Sequence, residues 1–285
     1  MSVVGLVVHE GRGPAVQAAG ELERALSAEG FTVVPSPGEE VPTALDLVIS
    51  VGGDGTFLRG AHLAAAADCP VLGVKVGRLG FLTEVEPIEA LDLAREALAG
   101  VAPIEERLAV LAGPAEGARF EPQWGLNEVM VEKGARHRLI RLAVEVDGAY
   151  VTTFSADGVV VATPTGSTAY SFSARGPIVS PDVACLVLTP VAAHMVFDRS
   201  FVLGATQQVV LEVVGEEPGL LSVDGRESVE LGVGSRTLIR VADRPARLVR
   251  RPGAPAFLTR VRDKFELPGD PTDEAGFDTD VGGEG

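Results

Sequence analysis

The stretch VGGDGTFLRG, residues 51–60, packs three glycines into four residues with one aspartate, Asp54, among them. It follows the largely apolar run LDLVIS at residues 45–50 and leads into a helical pattern. A strand feeding a glycine loop that feeds a helix is the generic phosphate site of α/β proteins. Glycines let the backbone approach an anion, and free amides at the helix start point at it. No Gly-Lys-Ser/Thr follows, so this is not a Walker loop. Neither Gly11-Arg12-Gly13 nor Gly73 to Gly80 has the spacing of a dinucleotide fingerprint. An acid facing bound phosphate is repelled unless it has another task. Three readings stay open for Asp54: a cap for the helix predicted over Thr56–Ala67, a contact to an acceptor hydroxyl, or a hold on Mg²⁺ bridging phosphates.

Outward from this turn, strands and helices alternate. Val3–Val8 reads as a strand, broken by Gly11, Gly13 and Pro14. Val16, Ala19, Leu22 and Leu26 recur at helical spacing, and Gly30 suits the cap. Phe31–Val34, Leu45–Val51 and Pro70–Val76 read as strands, and Ile88, Leu91, Ala94 and Leu98 mark another helix. The alternation predicts an α/β domain with a parallel sheet over residues 1–100. From Val101 the helical periodicity nearly vanishes. Short β-rich runs replace it, among them Leu108–Leu111, Glu128–Val131, Ile140–Val146 and Val209–Val214. Asp147-Gly148 and Asp224-Gly225 are turn signals. The expectation is an all-β, sandwich-like domain over residues 101–249, with Ser167–Ala174 as its best helix candidate.

The 285 residues suit one large domain or two modest ones. Hydrophobic residues make up 46% and aromatics only 5%, so the core is built of Val, Leu and Ala. The apolar runs are too short to span a bilayer, and the N-terminus lacks a signal-peptide pattern. A soluble cytoplasmic protein is expected. Cys69 and Cys185 stand far apart in apolar neighbourhoods and read as reduced, buried thiols. Net charge is −16, and seven acids fall from Glu266 onward with no Lys or Arg, so residues 266–285 read as an acidic disordered tail. An acidic body with no basic stripe argues against nucleic acid as a partner. It leaves room for a small anionic ligand in a locally positive pocket.

A second notable stretch is TPTGSTAYS, residues 163–171, dense in hydroxyls at a strand-to-helix junction. Such a segment either cradles a polar ligand or caps a helix. Asn127-Glu128 and Asp157-Gly158 each precede a β-rich run. His9, His62, His137 and His194 form no metal-ligand spacing, and no G-x-S-x-G elbow is present.

Taken in order, these pieces resemble the bacterial NAD kinases. Gly52 to Thr56 is similar to the family's GGDG box, and Gly73 to Thr83 to its segment ending LGFLT. Asn127-Glu128 matches the NE pair, Asp157-Gly158 with Thr163–Tyr170 the DG…TPTGSTAY box, and Asp224-Gly225 the late DG. A GGDG box alone is shared with lipid and sphingoid kinases, and a non-catalytic dinucleotide sensor is a further alternative. The resemblance covers roughly residues 1–265. It implies phosphorylation of the adenosine 2′-hydroxyl of NAD by ATP or polyphosphate, with Mg²⁺ arriving on the donor and no metal held by protein residues alone. It implies that residues 250–265 pack back on the first domain and that the chain forms a homodimer or homotetramer. Carried onto this sequence, it makes Asp54 the catalytic base on the 2′-hydroxyl, with Gly53, Gly55 and Arg59 at the phosphate. It puts Asn127, Glu128, Arg138 and Asp157 on NAD. Thr168, Ala169, Tyr170, Ser171 and Ser173 then line the adenosine pocket. This chain departs from the family pattern at Lys75, Arg175 and Arg226, where Asn, Gly and Gln are common, and at Ala192-Ala193.

Overall fold

The computed structural model describes residues 2–35, 44–77, 80–194, 197–226 and 228–268. Arg78 and Leu79 of the LGFLT-containing segment and the acidic tail from residue 269 lie outside the described residues.

The first sheet joins β1 (Val3–Val8), β2 (Thr32–Pro35), β3 (Leu47–Gly52), β4 (Val71–Lys75), β5 (Ile104–Arg107) and β18 (Ala246–Val249). Their order is β2-β1-β3-β4-β18-β5, parallel throughout except for β5 at the edge. β3 is buried along its whole length, as its continuous apolar run demands of a central parallel strand. Helices α1 (Gly13–Ala28) and α3 (Ala90–Leu98) cover one face, packing Ala19, Leu22, Leu26 and Leu93 on Leu6, Ile49 and Leu72. Helix α2 (Asp54–Ala67) covers the other, with Phe57, Ala61 and Ala64 on Val48 and Val71.

Two antiparallel sheets follow. One runs β10 (Ala149–Ala156), β9 (Ile140–Val146), β14 (Val209–Val214), β17 (Arg236–Val241), β6 (Val110–Pro114), β7 (Gln123–Gly125). The other runs β13 (Phe201–Gly204), β12 (Cys185–Val191), β11 (Gly158–Ala162), β8 (Glu128–Lys133), β15 (Gly219–Val223), β16 (Val229–Leu231). Leu142, Phe154, Leu211 and Ile239 of the first face Val129, Val161, Leu188 and Leu221 of the second in one core, so the unit is a β-sandwich.

The boundaries expected from the sequence need correcting. β5 and β18 fall inside the expected β-rich span 101–249, yet both add to the first sheet. The reason is pairing: Leu248 aligns with Val71 of β4, and Ala246–Val249 pair with Ile104–Arg107. The chain thus enters and leaves the sandwich through the edge of the first sheet. The final helix, α5 (Phe257–Lys264), lies against the first unit, where Arg260 bonds Glu84 at 2.9 Å and Phe81 faces Phe257 and Phe265.

Candidate active site

Helix α2 starts at Asp54, two residues earlier than its apolar pattern suggests, and Gly53 precedes it in extended conformation. Asp54 does not cap the helix. At the first helical position its side chain turns outward, and its oxygens accept from the amides of Phe81 at 2.9 Å and Leu82 at 3.1 Å. The capping reading is therefore replaced by a tie between the glycine turn and the 80–82 loop. Gly80 is required for this approach, because a Cβ there would lie 2.0 Å from Asp54 Oδ1. Gly53 and Gly55 differ: nothing stands within 4 Å of where their Cβ atoms would be. That empty space opens on a cleft of about 610 Å³ lined by Arg12, Gly53, Asp54, Gly55 and Arg59, with His9 and Glu10 at its margin. Arg59 is exposed there and donates to the Val8 carbonyl at 2.7 Å.

Asn127 and Glu128 lie at the start of β8, and both are more than nine-tenths buried. Asn127 Oδ1 and Glu128 Oε2 have no hydrogen-bond partner within the protein. Burial pushes the Glu128 carboxyl up to about 8, with the Asp224 charge as a second cause and the Tyr170 amide opposing. The pair is held from behind by Asp224, whose carboxylate accepts from the amides of Leu126 (2.7 Å), Asn127 (2.8 Å) and Glu128 (3.0 Å). Its fourth partner is His62 Nε2 at 2.7 Å, from α2. Asp224 reaches this place because Asp224 and Gly225 take left-handed conformations in the β15–β16 turn. Sequence reading noted Asp224 and set His62 aside; neither carried a signal of their pairing across 162 positions.

The hydroxyl-rich segment is not the open cradle expected from its composition. Thr163 donates to the Leu126 carbonyl at 2.6 Å and accepts from Gly166. Ser167 donates to Pro164 and accepts from Val179, Thr168 donates to Thr165, and Thr165 accepts from Arg107. These groups build a 3₁₀ turn at Thr165–Thr168 and a single helical turn, α4 (Tyr170–Ser173), in place of one helix over Ser167–Ala174. Gly166 fits because its missing side chain lets the turn touch β8: a Cβ would meet the Asn127 carbonyl oxygen at 2.1 Å. Ser171 is buried and faces Thr189 at 3.3 Å, so it serves the fold instead of the open pocket. Tyr170 and Ser173 are exposed, and Thr168 and Ala169 are partly so. Burial pushes the Tyr170 phenol up, and the nearby strip of acids Glu132, Asp157 and Glu128 pushes it the same way.

Asp157 stands beside the far end of that strip, where Gly158 pairs with Glu132, and bonds Lys133 at 2.5 Å. Arg138 does not join the group within this chain. It follows the six-residue β8 on the side away from Asn127, and its nearest acid is Glu217 at 3.5 Å. A strand of this length separates its ends by roughly 20 Å.

The geometry thus gathers Gly53, Asp54, Gly55 and Arg59 at one cleft, and sets Asn127 and Glu128 beside the turn that carries Gly166 and Tyr170. Residues 38–102 match the sequence model of the ATP-NAD kinase N-terminal domain, and residues 126–251 that of the ATP-NAD kinase C-terminal domain. An NAD kinase of Leifsonia xyli is 40% identical, over 92% of this chain and 94% of its own. The chain belongs to the ATP-NAD kinase family. Two solved structures share its fold. A yeast NADH kinase complexed with NADH superposes with TM-score 0.82 at 23% identity, over 95% of this chain and 89% of its own. An NAD kinase from Archaeoglobus fulgidus in complex with ATP gives TM-score 0.72 at 26% identity, over 93% and 98%. Family membership displaces the lipid-kinase reading of the glycine turn. As an NAD kinase family member, the chain accommodates its departures locally. Lys75 is neutralised by Glu86 at 2.6 Å. Arg175 takes a left-handed backbone (φ 66°) after α4. Arg226 bonds His62 Nδ1 at 3.0 Å.

Proposed function

We propose that this chain transfers the terminal phosphoryl group of ATP to the 2′-hydroxyl of the adenosine ribose of NAD, giving NADP, and accepts inorganic polyphosphate as a second donor. The observation that carries the reading is the pair of buried polar oxygens, Asn127 Oδ1 and Glu128 Oε2, left without protein partners. Buried polar atoms in folded proteins are as a rule hydrogen-bonded, so a ligand rich in hydroxyl and amino groups is the natural complement of two such oxygens side by side. The donor phosphates lie over Gly53 and Gly55, where the backbone is uncovered and the amides opening α2 point outward.

In this mechanism Asp54 orients the 2′-hydroxyl and takes its proton late. A sugar hydroxyl is far too weak an acid for a carboxylate to ionise it before attack. Phosphoryl transfer runs through a loose transition state, in which positioning and charge stabilisation do most of the work. The two amides on Asp54 fix the carboxylate while leaving lone pairs free for the substrate. Among the described residues no group of three His, Cys, Asp or Glu could hold a metal. The acids at the cleft, Asp54 and Glu10, fit a divalent ion held chiefly by donor phosphates. Such an ion supplies charge neutralisation on the transferring oxygens. Family resemblance is the support for a homodimer or homotetramer and for a cytoplasmic location. No helix among the described residues is long and apolar enough to cross a membrane.

The test is Asp54→Asn assayed for NADP formation with NAD and ATP, beside NAD titration by calorimetry. Asn turns an NH₂ toward the Phe81 or Leu82 amide, so binding must be measured to separate loop disorder from lost chemistry. Turnover is expected to fall by about 100-fold or more. Activity within about threefold of wild type would remove Asp54 from the chemistry.

A further inference from the structure

A second cleft, of about 590 Å³, lies further along α2 and is lined by His62, Trp124, Arg226 and Arg244. On α2, residues 55, 59, 62 and 66 fall on one stripe of the helix. Gly55, Arg59 and Ala66 are exposed and His62 is partly so. The stripe runs from the Asp54 cleft, past Arg59, into the second cleft. Gly55 and His62 are about 10 Å apart along the axis.

The cations on this path keep their charge. His62 donates through Nε2 to the Asp224 carboxylate, so its Nδ1 is the lone-pair nitrogen that accepts from Arg226 at 3.0 Å. Arg226 is thereby oriented by a neutral imidazole instead of being neutralised by a carboxylate. Asp224, on the other ring nitrogen, is buried and already accepts three backbone amides. Arg244 has no acid partner among the described residues; its carbonyl accepts the Trp124 indole N–H at 3.1 Å. Arg12 and Arg59, in the first cleft, bond only the carbonyls of Val76 and Val8 among the described residues. Among the described residues, four arginines without carboxylate partners thus line two successive clefts of a chain whose net charge is −16.

We propose that the second cleft binds the distal phosphates of a linked-phosphate anion whose terminal group lies at Gly53–Gly55. This rests on the phosphate placement proposed above and extends it. The recognised chemistry is a chain of phosphates, which a nucleoside triphosphate and inorganic polyphosphate share. Planar guanidinium groups grip such oxygens in pairs, and Arg59 bridges the interval between the clefts. A triphosphate carrying a nucleoside brings its base toward Trp124, whereas bare polyphosphate does not.

Trp124 is the only tryptophan in the chain, so its fluorescence reports this cleft alone. The full-length protein is titrated with tripolyphosphate, longer polyphosphate, ATP and adenosine, each with Mg²⁺. A saturable change is expected with the three phosphate chains and none with adenosine alone; a larger change with ATP than with tripolyphosphate identifies the nucleoside at the ring. In Arg226→Gln/Arg244→Gln the half-saturation concentration rises at least about tenfold and the donor KM rises with it, while the NAD KM stays within about twofold. Arg244→Gln alone, at an exposed side chain, carries the test if the double variant fails to fold. No fluorescence change with any phosphate chain, or half-saturation in the variants within about twofold of wild type, overturns the proposal. If the wild type makes NADP yet shows no such signal, only this inference fails. If it makes none, the proposed function fails while the titration still reads the cleft.

Discussion

Replacing Asp224 by Asn changes one atom and should be among the most damaging substitutions outside the cleft. Oδ1 serves Asn127 and Glu128, and Oδ2 serves Leu126 and His62. Asn keeps one oxygen and points an NH₂ at the two donors that faced the other. His62 cannot rescue this by moving its proton to Nδ1, because that nitrogen accepts from Arg226. Two bonds to a buried charge are lost, each worth ~1.5–3 kcal/mol, and two donors are stranded. The expected loss is ~3–5 kcal/mol of folding stability, the cost typical of breaking a buried, charge-bearing contact. Urea unfolding followed by fluorescence measures it, with the midpoint falling and the slope unchanged. NAD affinity by calorimetry should fall at least about tenfold, because the backbone of Asn127 and Glu128 loses its anchor. A stability loss under ~1 kcal/mol with unaltered NAD affinity would show that Asp224 does not position the pair.

Two further outcomes follow from the same strand. Glu128 titrates near 8 when folded and near 4.5 when not, so the folded state holds the extra proton between those values. Stability should therefore decline as pH rises through that window and level off above it, by at most ~5 kcal/mol, and Glu128→Gln should remove the slope in urea midpoints taken from pH 5 to 9; a slope that persists in the variant assigns it to another group. Gly166→Ala puts a methyl 2.1 Å from the Asn127 carbonyl oxygen, where backbone must part to admit it. A loss of ~1–3 kcal/mol is expected with a raised NAD KM, and a thermal midpoint equal to wild type would contradict the contact.

Much of the architecture was legible because its signals are local. The continuous apolar run of β3, the 3.6-residue spacing in α1 and the glycine turn each declare themselves within a few residues. What stayed hidden is physical in origin. β5 reads Ile-Glu-Glu-Arg, because an edge strand carries charges on its open side. β10 was missed because a bulge between Tyr150 and Thr152 breaks its alternation. α5 is short and mostly polar, and it is held by Arg260 on Glu84, with no broad apolar face to announce it. Composition misled at residues 163–171: hydroxyls that suggest a ligand cradle are largely consumed by turn geometry. The candidate residues in local motifs declare themselves in the sequence, while His62 does not, since its meaning comes from Asp224, far away in sequence.

The catalytic role proposed for Asp54 depends on elements outside its own cleft. Asp54 is fixed by the amides of Phe81 and Leu82, so its aim is only as good as that loop's. The loop in turn is clasped by the last helix. Phe81 packs on Phe257 and Phe265, Arg260 reaches the Phe81 carbonyl at 3.4 Å, and Arg260 and Arg250 both pair with the buried Glu84. Phe265 also meets Phe172 of α4 at 4.5 Å, next to Tyr170. One short helix thereby links the loop that aims Asp54 to the turn that carries Tyr170. On the opposite side, His62 joins α2 to Asp224 and so to Asn127 and Glu128. The acid at the head of α2 and the acceptors at the head of β8 are thus registered through two independent ties. Phosphoryl transfer rewards such rigidity, because an error near 1 Å between hydroxyl and phosphorus costs on the order of 100-fold in rate.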